Sequence, residues 1–269
     1  MEGVGGHFKL ADFDDLELTN MNRLRAGCHE LGLPKTVLAA RQIAELDPWM
    51  EVSLFSDGIQ RENIEEFFCA EPSLDVLVEE CDSVDVKLLL REQARALRVP
   101  VVMETSDRGV LDVERFDQEP DRPLMPGVSS DSRAALSSGE KFKHILKFVG
   151  VETISPRLGA SLLEIERTIA TWPQLVSDVV LGGATVAVAL RKLALGQPLP
   201  SGRCAIDLQE RLTHVQWTTP FVAPAPEASS SRAEPGLAPL LGEILRETGS
   251  FPSRGTSPVG YESQPAGMF

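Results

Sequence analysis

The residues best suited to chemistry stand in one run, Ala11-Asp12-Phe13-Asp14-Asp15-Leu16-Glu17-Leu18-Thr19-Asn20-Met21-Asn22-Arg23, followed by Lys35. A carboxylate at the tip of an early strand can hold ribose hydroxyls, which makes Asp12 a candidate for that contact. Asn20 offers an amide donor. Arg23 offers a guanidinium fork and Lys35 an ammonium, both suited to phosphate oxygens. The same run also reads as a solvated acidic turn with Arg23 in a surface ion pair. A second cluster is Glu79-Glu80-Cys81-Asp82-Ser83-Val84-Asp85. Asp82 stands where a strand gives way to a helix, and a carboxylate there can ligate magnesium together with phosphate oxygens. Asp82 or Ser83 can equally cap that helix by accepting its free N–H groups.

The elements that must position these residues follow from two alternating periodicities. His7 to Ala11, Glu51 to Phe55, Leu74 to Val78 and Pro100 to Glu104 read as strands. Between them come helical patterns. The first opens at Pro34 and carries Val37, Ala40, Ile43, Ala44 and Leu46 on one side, ending at Asp47-Pro48. A short one contains Ile64, Phe67 and Phe68. A third covers Ser83 to Arg98 with Val86, Leu89, Leu90, Ala94 and Leu97 inward. This β-α-β-α-β-α-β order predicts an α/β fold with a parallel sheet covered by helices. Ligands of such sheets bind beyond the carboxyl ends of the strands. The residues to inspect are therefore Asp12, Asp14, Ser56, Asp57, Cys81, Asp82, Thr105, Ser106 and Asp107.

Further along, 117–140 is rich in Asp, Glu, Pro, Gly and Ser and reads as a linker or loop. Helical patterns return at Lys141 to Val149, Ser161 to Ala170 and Pro173 to Leu195. Gly182-Gly183 marks either a kink or a close helix contact in the last of these. Leu199 to Asp207 is a strand or an arm. The predicted organisation is an α/β part over 1–116, the linker, a helical part of the same domain over 141–215, and a disordered tail over 216–269. Within that tail, Leu237 to Glu247 could form an isolated helix.

Charge and composition narrow the function. Twenty-six Lys and Arg face 40 Asp and Glu, for a net charge of −14. A global electrostatic grip on nucleic acid is not expected, although a local basic pocket for one nucleotide is. The apolar stretch Val179 to Leu190 is shorter than the roughly 20 residues a bilayer requires, so it reads as a buried helix. With no signal-like N-terminal segment, the expected location is the cytoplasm. Cys28, Cys69, Cys81 and Cys204 form no CxxC pair, so a ribbon-type zinc site is not expected. The four histidines show no metal-ligand spacing.

The order Asp12-Phe-Asp14, Thr19-Asn20-Met21-Asn22-Arg23, Lys35 and Cys81-Asp82-Ser83 resembles the ThiF/MoeB adenylyltransferases, relatives of the ubiquitin-activating enzymes. The resemblance runs from about residue 6 to 110. Glu104 to Gly109, Asp112 to Phe116, Trp172 to Leu175 and Ser201-Gly202-Arg203 resemble a subgroup related to ThiF–nitroreductase fusions. The resemblance implies a Rossmann-like, mostly parallel sheet with helices on both faces. It implies adenylation by ATP of the C-terminal carboxylate of a small ubiquitin-fold or sulfur-carrier protein ending in glycine. It further implies that Asp12 holds the ribose, that Asn20, Arg23 and Lys35 contact the phosphates, and that Asp82 holds Mg. A homodimer is possible by the same analogy. The alternative is a degenerate, non-catalytic subunit that binds a partner protein, and a nicotinamide or flavin oxidoreductase is a third reading.

Four departures accompany the resemblance. The family's first strand and its G-x-G-x-x-G loop are missing ahead of the strand that carries Asp12; Gly3-Val4-Gly5-Gly6 reads as a tight turn instead. The absent strand is expected to leave its neighbours with unpaired edges. The absent loop is expected to leave this chain binding ATP weakly by itself. Leu24 stands where the family has Gln. The paired CxxC motifs of the structural zinc site are absent, and no cysteine matches a thioester or persulfide motif.

Overall fold

The computed structural model describes residues 3–124, 154–162, 164, 167–169 and 173–214. These belong to one unit, Met1–Val215; Gln216–Phe269 form a second. The predicted helix at 141–149, most of the linker, Trp172 and the whole tail with its predicted isolated helix lie outside the described residues.

The elements in chain order are β1 (His7–Ala11), α1 (Lys35–Leu46), β2 (Glu51–Phe55), α2 (Ile64–Cys69), β3 (Leu77–Val78) and α3 (Val84–Ala96). Then come β4 (Val101–Thr105), β5 (Val110–Glu114), α4 (Pro156–Leu162), α5 (Val176–Ala194), β6 (Gly202–Ala205) and α6 (Leu208–His214). The first two predicted strands fall where the alternation placed them. The third shortens to two residues, because only Leu77 and Val78 find partners, on Val101 and Val102. β5 was not among the predicted strands.

The strands form two sheets. β1 and β2 pair in parallel, with Lys9 opposite Ser53 and Ala11 opposite Phe55. The other sheet runs β3-β4-β5-β6: β3 and β4 are parallel, and β5 and β6 join them antiparallel. One continuous parallel sheet, as the alternation alone predicts, is therefore replaced by a parallel pair and a mixed sheet. β1 and β3 share no ladder among the described residues. Among the described residues β1 pairs only with β2, and β3 only with β4.

Helices cover both faces of the mixed sheet. Side chains alternate along a strand. Val101 of β4 packs with Leu90 and Ala94 of α3, with Phe67 and Phe68 of α2 and with Phe116. Val102, Leu111 and Val113 pack on the other face with Ala189, Val186 and Leu190 of α5. The α2 aromatics reach across to the first sheet, since the Phe67 ring meets Phe55 of β2 edge-on at 5.2 Å. Lys9 of β1 ties the same helix down by donating to the carbonyls of Phe67 and Ala70. A lysine at the carboxyl end of a helix meets carbonyls that have no intrahelical partner.

Gly182 is buried, whereas Gly183 faces open space. The pair is thus a close contact at one residue, and the helix is continuous through both. No described helix is long and apolar enough to cross a membrane.

Candidate functional site

Beyond β1 the chain turns back on itself. The Asp12 carboxylate accepts the Asp14 N–H at 2.8 Å, which fixes the turn. Leu16 then donates to the Leu33 carbonyl, Gly32 donates to Leu16, and Lys35 N–H donates to the Asp14 carbonyl at 2.9 Å. This local pairing brings the start of α1 beside the tip of β1. Lys35 Nζ lies 2.6 Å from the Asp14 carboxylate. Thr36, buried in the first turn of α1, shares a 3.0 Å hydrogen bond with Ser56 just past β2. Asp12, Asp14 and Lys35 therefore form one constellation at the carboxyl ends of the parallel pair.

Asn20 and Arg23 belong to the adjoining turn. Asn20 is buried, and its side-chain oxygen accepts the Glu17 N–H at 2.9 Å while its carbonyl accepts from Arg23 and Leu24. It builds the turn from within. Arg23 lies across the outside, donating to the Thr19 carbonyl at 2.9 Å and to Asn22 Oδ1 at 3.0 Å. Asn22 Nδ2 reaches the Gln174 carbonyl, which anchors the turn to the segment leading into α5.

Asp82 sits elsewhere, between β3 and α3. Ser83, not Asp82, caps α3: its Oγ accepts the Val86 N–H at 3.4 Å. The Asp82 side chain is exposed, and among the described residues no hydrogen bond or ion pair joins it to Asp12, Asn20, Arg23 or Lys35. A cleft of about 330 Å³ opens near the tip of β2, lined by Lys9, Ser53, Ser56, Asp57, Glu66 and Glu71 among others. None of the five predicted site residues lines it. No group of three or more His, Cys, Asp or Glu side chains is arranged for a metal ion among the described residues.

Behind Asp82 lies a charge cluster that sequence reading missed. Arg91 is 0% exposed and Glu79 1%. Arg91 donates from Nη1 to Glu79 and from Nε to Glu114, each at 2.6 Å. Lys87 Nζ donates to both oxygens of Glu79, at 2.8 and 3.1 Å. Glu79 also accepts the Cys81 N–H at 2.8 Å. Burial pushes the Glu79 carboxyl up, but Lys87 and Arg91 outweigh it and hold the group below its usual range. Burial prevails at Glu114, which is raised despite Arg91. The Cys81 thiol is pushed up to about 12, chiefly by burial and then by Glu79, so it is not a thiolate at neutral pH.

A signal for the cluster was present. Lys87 and Arg91 share one face of α3 with the buried Val84 and Ala94, at positions 84, 87, 91 and 94. Cations on an inward face require buried acids opposite them. The later motif residues also serve packing. Arg203 makes a two-pronged pair with Asp112 across β6 and β5, at 2.8 Å per contact. Ser201 Oγ accepts the Arg115 N–H.

The ThiF family profile matches residues 1–111. The chain is 45% identical over 215 residues to an uncharacterized protein of Mycobacterium tuberculosis (strain CDC 1551 / Oshkosh), a match covering 78% of this chain and 30% of that protein. It is 24% identical over 147 residues to the molybdopterin-synthase adenylyltransferase of Haemophilus influenzae (strain ATCC 51907 / DSM 11121 / KW20 / Rd), covering 54% and 59%. It is 30% identical over 112 residues to the tRNA threonylcarbamoyladenosine dehydratase of Bacillus subtilis (strain 168), covering 41% and 43%. The chain thus spans 30% of the first relative's length, 59% of the second's and 43% of the third's.

Proposed function

We propose, from the match of residues 1–111 to the ThiF family, that the site of this chain serves ATP-dependent adenylation of a carboxylate. The substrate would be the C-terminal glycine of a small ubiquitin-fold carrier protein. Its carboxylate oxygen attacks the α-phosphorus of ATP. The bond from that phosphorus to the oxygen bridging toward the β-phosphorus breaks, and pyrophosphate leaves with the electron pair. An acyl-adenylate remains.

The observation that carries this reading is the constellation of Asp12, Asp14 and Lys35 beyond the parallel pair, where α/β folds bind ligands. One Asp12 oxygen accepts from Asp14, and the other is left to accept a ribose hydroxyl. Arg23 and Lys35 would contact the phosphates and offset the charge that gathers there in the transition state. The Asn20 side-chain oxygen holds the turn that carries Arg23, and its Nδ2 would be the group to donate to phosphate. Asp82 would hold Mg with a single carboxylate, the other ligands coming from phosphate oxygens and water. Its exposed carboxylate fits that use.

One observation favours a second reading, a non-catalytic subunit that binds a partner protein. Lys35 is already paired with Asp14 and Arg23 with Thr19 and Asn22, so both cations are engaged by the chain itself. ATP–pyrophosphate exchange by the full chain, with a carrier ending in Gly-Gly, separates the two. The adenylation reading expects carrier-dependent exchange at ATP concentrations that saturate the weak site expected of this chain, and expects Asp82→Ala to abolish it. No exchange at any carrier concentration overturns it in favour of the second.

A further inference from the structure

We propose that Arg91 is a positioning residue for Asp82, acting through Glu79; the role of Asp82 in this inference rests on the adenylation reading above. Arg91 touches no candidate ligand position. It is 0% exposed, and its two strong bonds run to Glu79 at the end of β3 and to Glu114 on β5. Glu79 passes the constraint on. Its Oε2 is held by Arg91, while its Oε1 accepts the backbone N–H of Cys81, the residue just before Asp82. Lys87 bridges both Glu79 oxygens and removes the remaining freedom of that carboxylate. On the other side, Ser83 is fixed as the cap of α3.

The backbone of Asp82 is therefore clamped through both neighbours, while its own carboxylate is left to a ligand. The chain from β5 to Arg91, Glu79 and the Cys81 N–H fixes the backbone from which that carboxylate projects.

Stability alone is a poor explanation for this arrangement. Taking a guanidinium, an ammonium and two carboxylates out of water costs more than their mutual attraction reliably returns. Well-packed apolar side chains of similar volume often serve a core as well or better. What apolar residues cannot do is accept the Cys81 N–H and thereby fix the turn. A site that must hold its ligating group within a narrow angle needs such support behind it.

The test compares the full-length wild type with Arg91→Met and Glu79→Gln. Amide hydrogen exchange is read at Cys81 and, as an internal reference, at Val102 in the middle of β4. Exchange of Cys81 should accelerate about tenfold or more in Arg91→Met, the scale of one hydrogen bond to a charged group. Val102 should stay as protected as in the wild type, or more so. In the pyrophosphate-exchange assay, KM for Mg²⁺ should rise by a larger factor than kcat falls.

If Arg91→Met loses protection at both amides, Glu79→Gln decides. It keeps the volume and weakens the acceptor, so it should speed Cys81 exchange and spare Val102. A Cys81 amide as slow as in the wild type, with Val102 intact, overturns the proposal. A wild type without pyrophosphate exchange overturns the adenylation reading instead, and the amide measurement still decides whether Arg91 fixes the turn.

Discussion

Two neighbouring glycines in one helix should respond unequally to the same substitution. A methyl group built on Gly182 of α5 would lie under 3.0 Å from all three carboxyl atoms of Glu104. A methyl on Gly183 would meet nothing within 4 Å. Glu104 is no flexible surface group that can swing aside. It is 8% exposed and sits on β4, so its carboxyl can move away from α5 only within a close-packed interior. Either the Glu104 carboxyl must be pushed aside or α5 must shift against Val102, Leu111 and Val113. Both substitutions gain the helix propensity of alanine over glycine, about 1 kcal/mol. That gain cancels in their difference, leaving the overpacking cost of about 1–3 kcal/mol. Gly183→Ala should therefore stabilise the protein, and Gly182→Ala should be less stable than Gly183→Ala by that margin. Urea unfolding measures both through the midpoint at constant slope. Shortening Glu104 to alanine should recover much of the Gly182→Ala loss in a double-mutant cycle. Equal midpoints for the two glycine variants would show that α5 does not sit against Glu104 as described.

Glu104 also predicts a pH dependence. Burial, then the neighbouring charges of Glu80 and Asp178, push its carboxyl up to about 8 from an ordinary 4.5. Between those values the folded protein holds a proton that the unfolded chain has released, so this group's contribution to stability falls as pH rises from about 4.5 through 8. Glu104→Gln should flatten that slope and gain on the wild type at pH 9 relative to pH 5, read as unfolding midpoints. Asp107 accepts from the N–H and the hydroxyl of Ser155 at 2.8 and 2.6 Å, both in buried surroundings. Asp107→Ala should cost about 3 kcal/mol in urea unfolding, the scale of buried bonds to a charged acceptor. At the β3–α3 turn, Ser83→Ala should lose about 1 kcal/mol of stability with the helix cap. Asp82→Ala should change stability by no more than about 0.5 kcal/mol while abolishing pyrophosphate exchange, so one pair of variants separates cap from ligand.

Much of the fold was legible because local chemistry and tertiary context agree in β1, α1, β2, α2, α3 and β4. Pro34 ahead of α1 and Asp47-Pro48 behind it are punctuation that packing has no reason to override. β5 was missed although Val110-Leu111-Asp112-Val113-Glu114 alternates. Its two acids belong to the stretch that resembles a subgroup motif, whereas in the structure Asp112 pairs with Arg203 and Glu114 with Arg91. The period of α3 places Leu97 inward, yet it is 41% exposed because the helix ends at Ala96. The break between β1–β2 and β3–β6 could not be read from alternation, which orders strands along the chain and does not say which edges meet.

The same limit explains which parts of the site could be read. The turn of Asp12, Asp14 and Lys35 is local in its wiring, since each step from Asp12 through Leu16 and Leu33 to Lys35 is a bond within one hairpin-like segment. Residue types and short spacings therefore point to it. The support of Asp82 is not local. It depends on an arginine in the middle of a helix and a glutamate two strands away finding each other in the core. Sequence spacing shows the exposed carboxylate and hides the buried bonds behind the residue next to it. A substitution at Arg91 should therefore alter how Asp82 is held while leaving every residue of the recognisable motif unchanged.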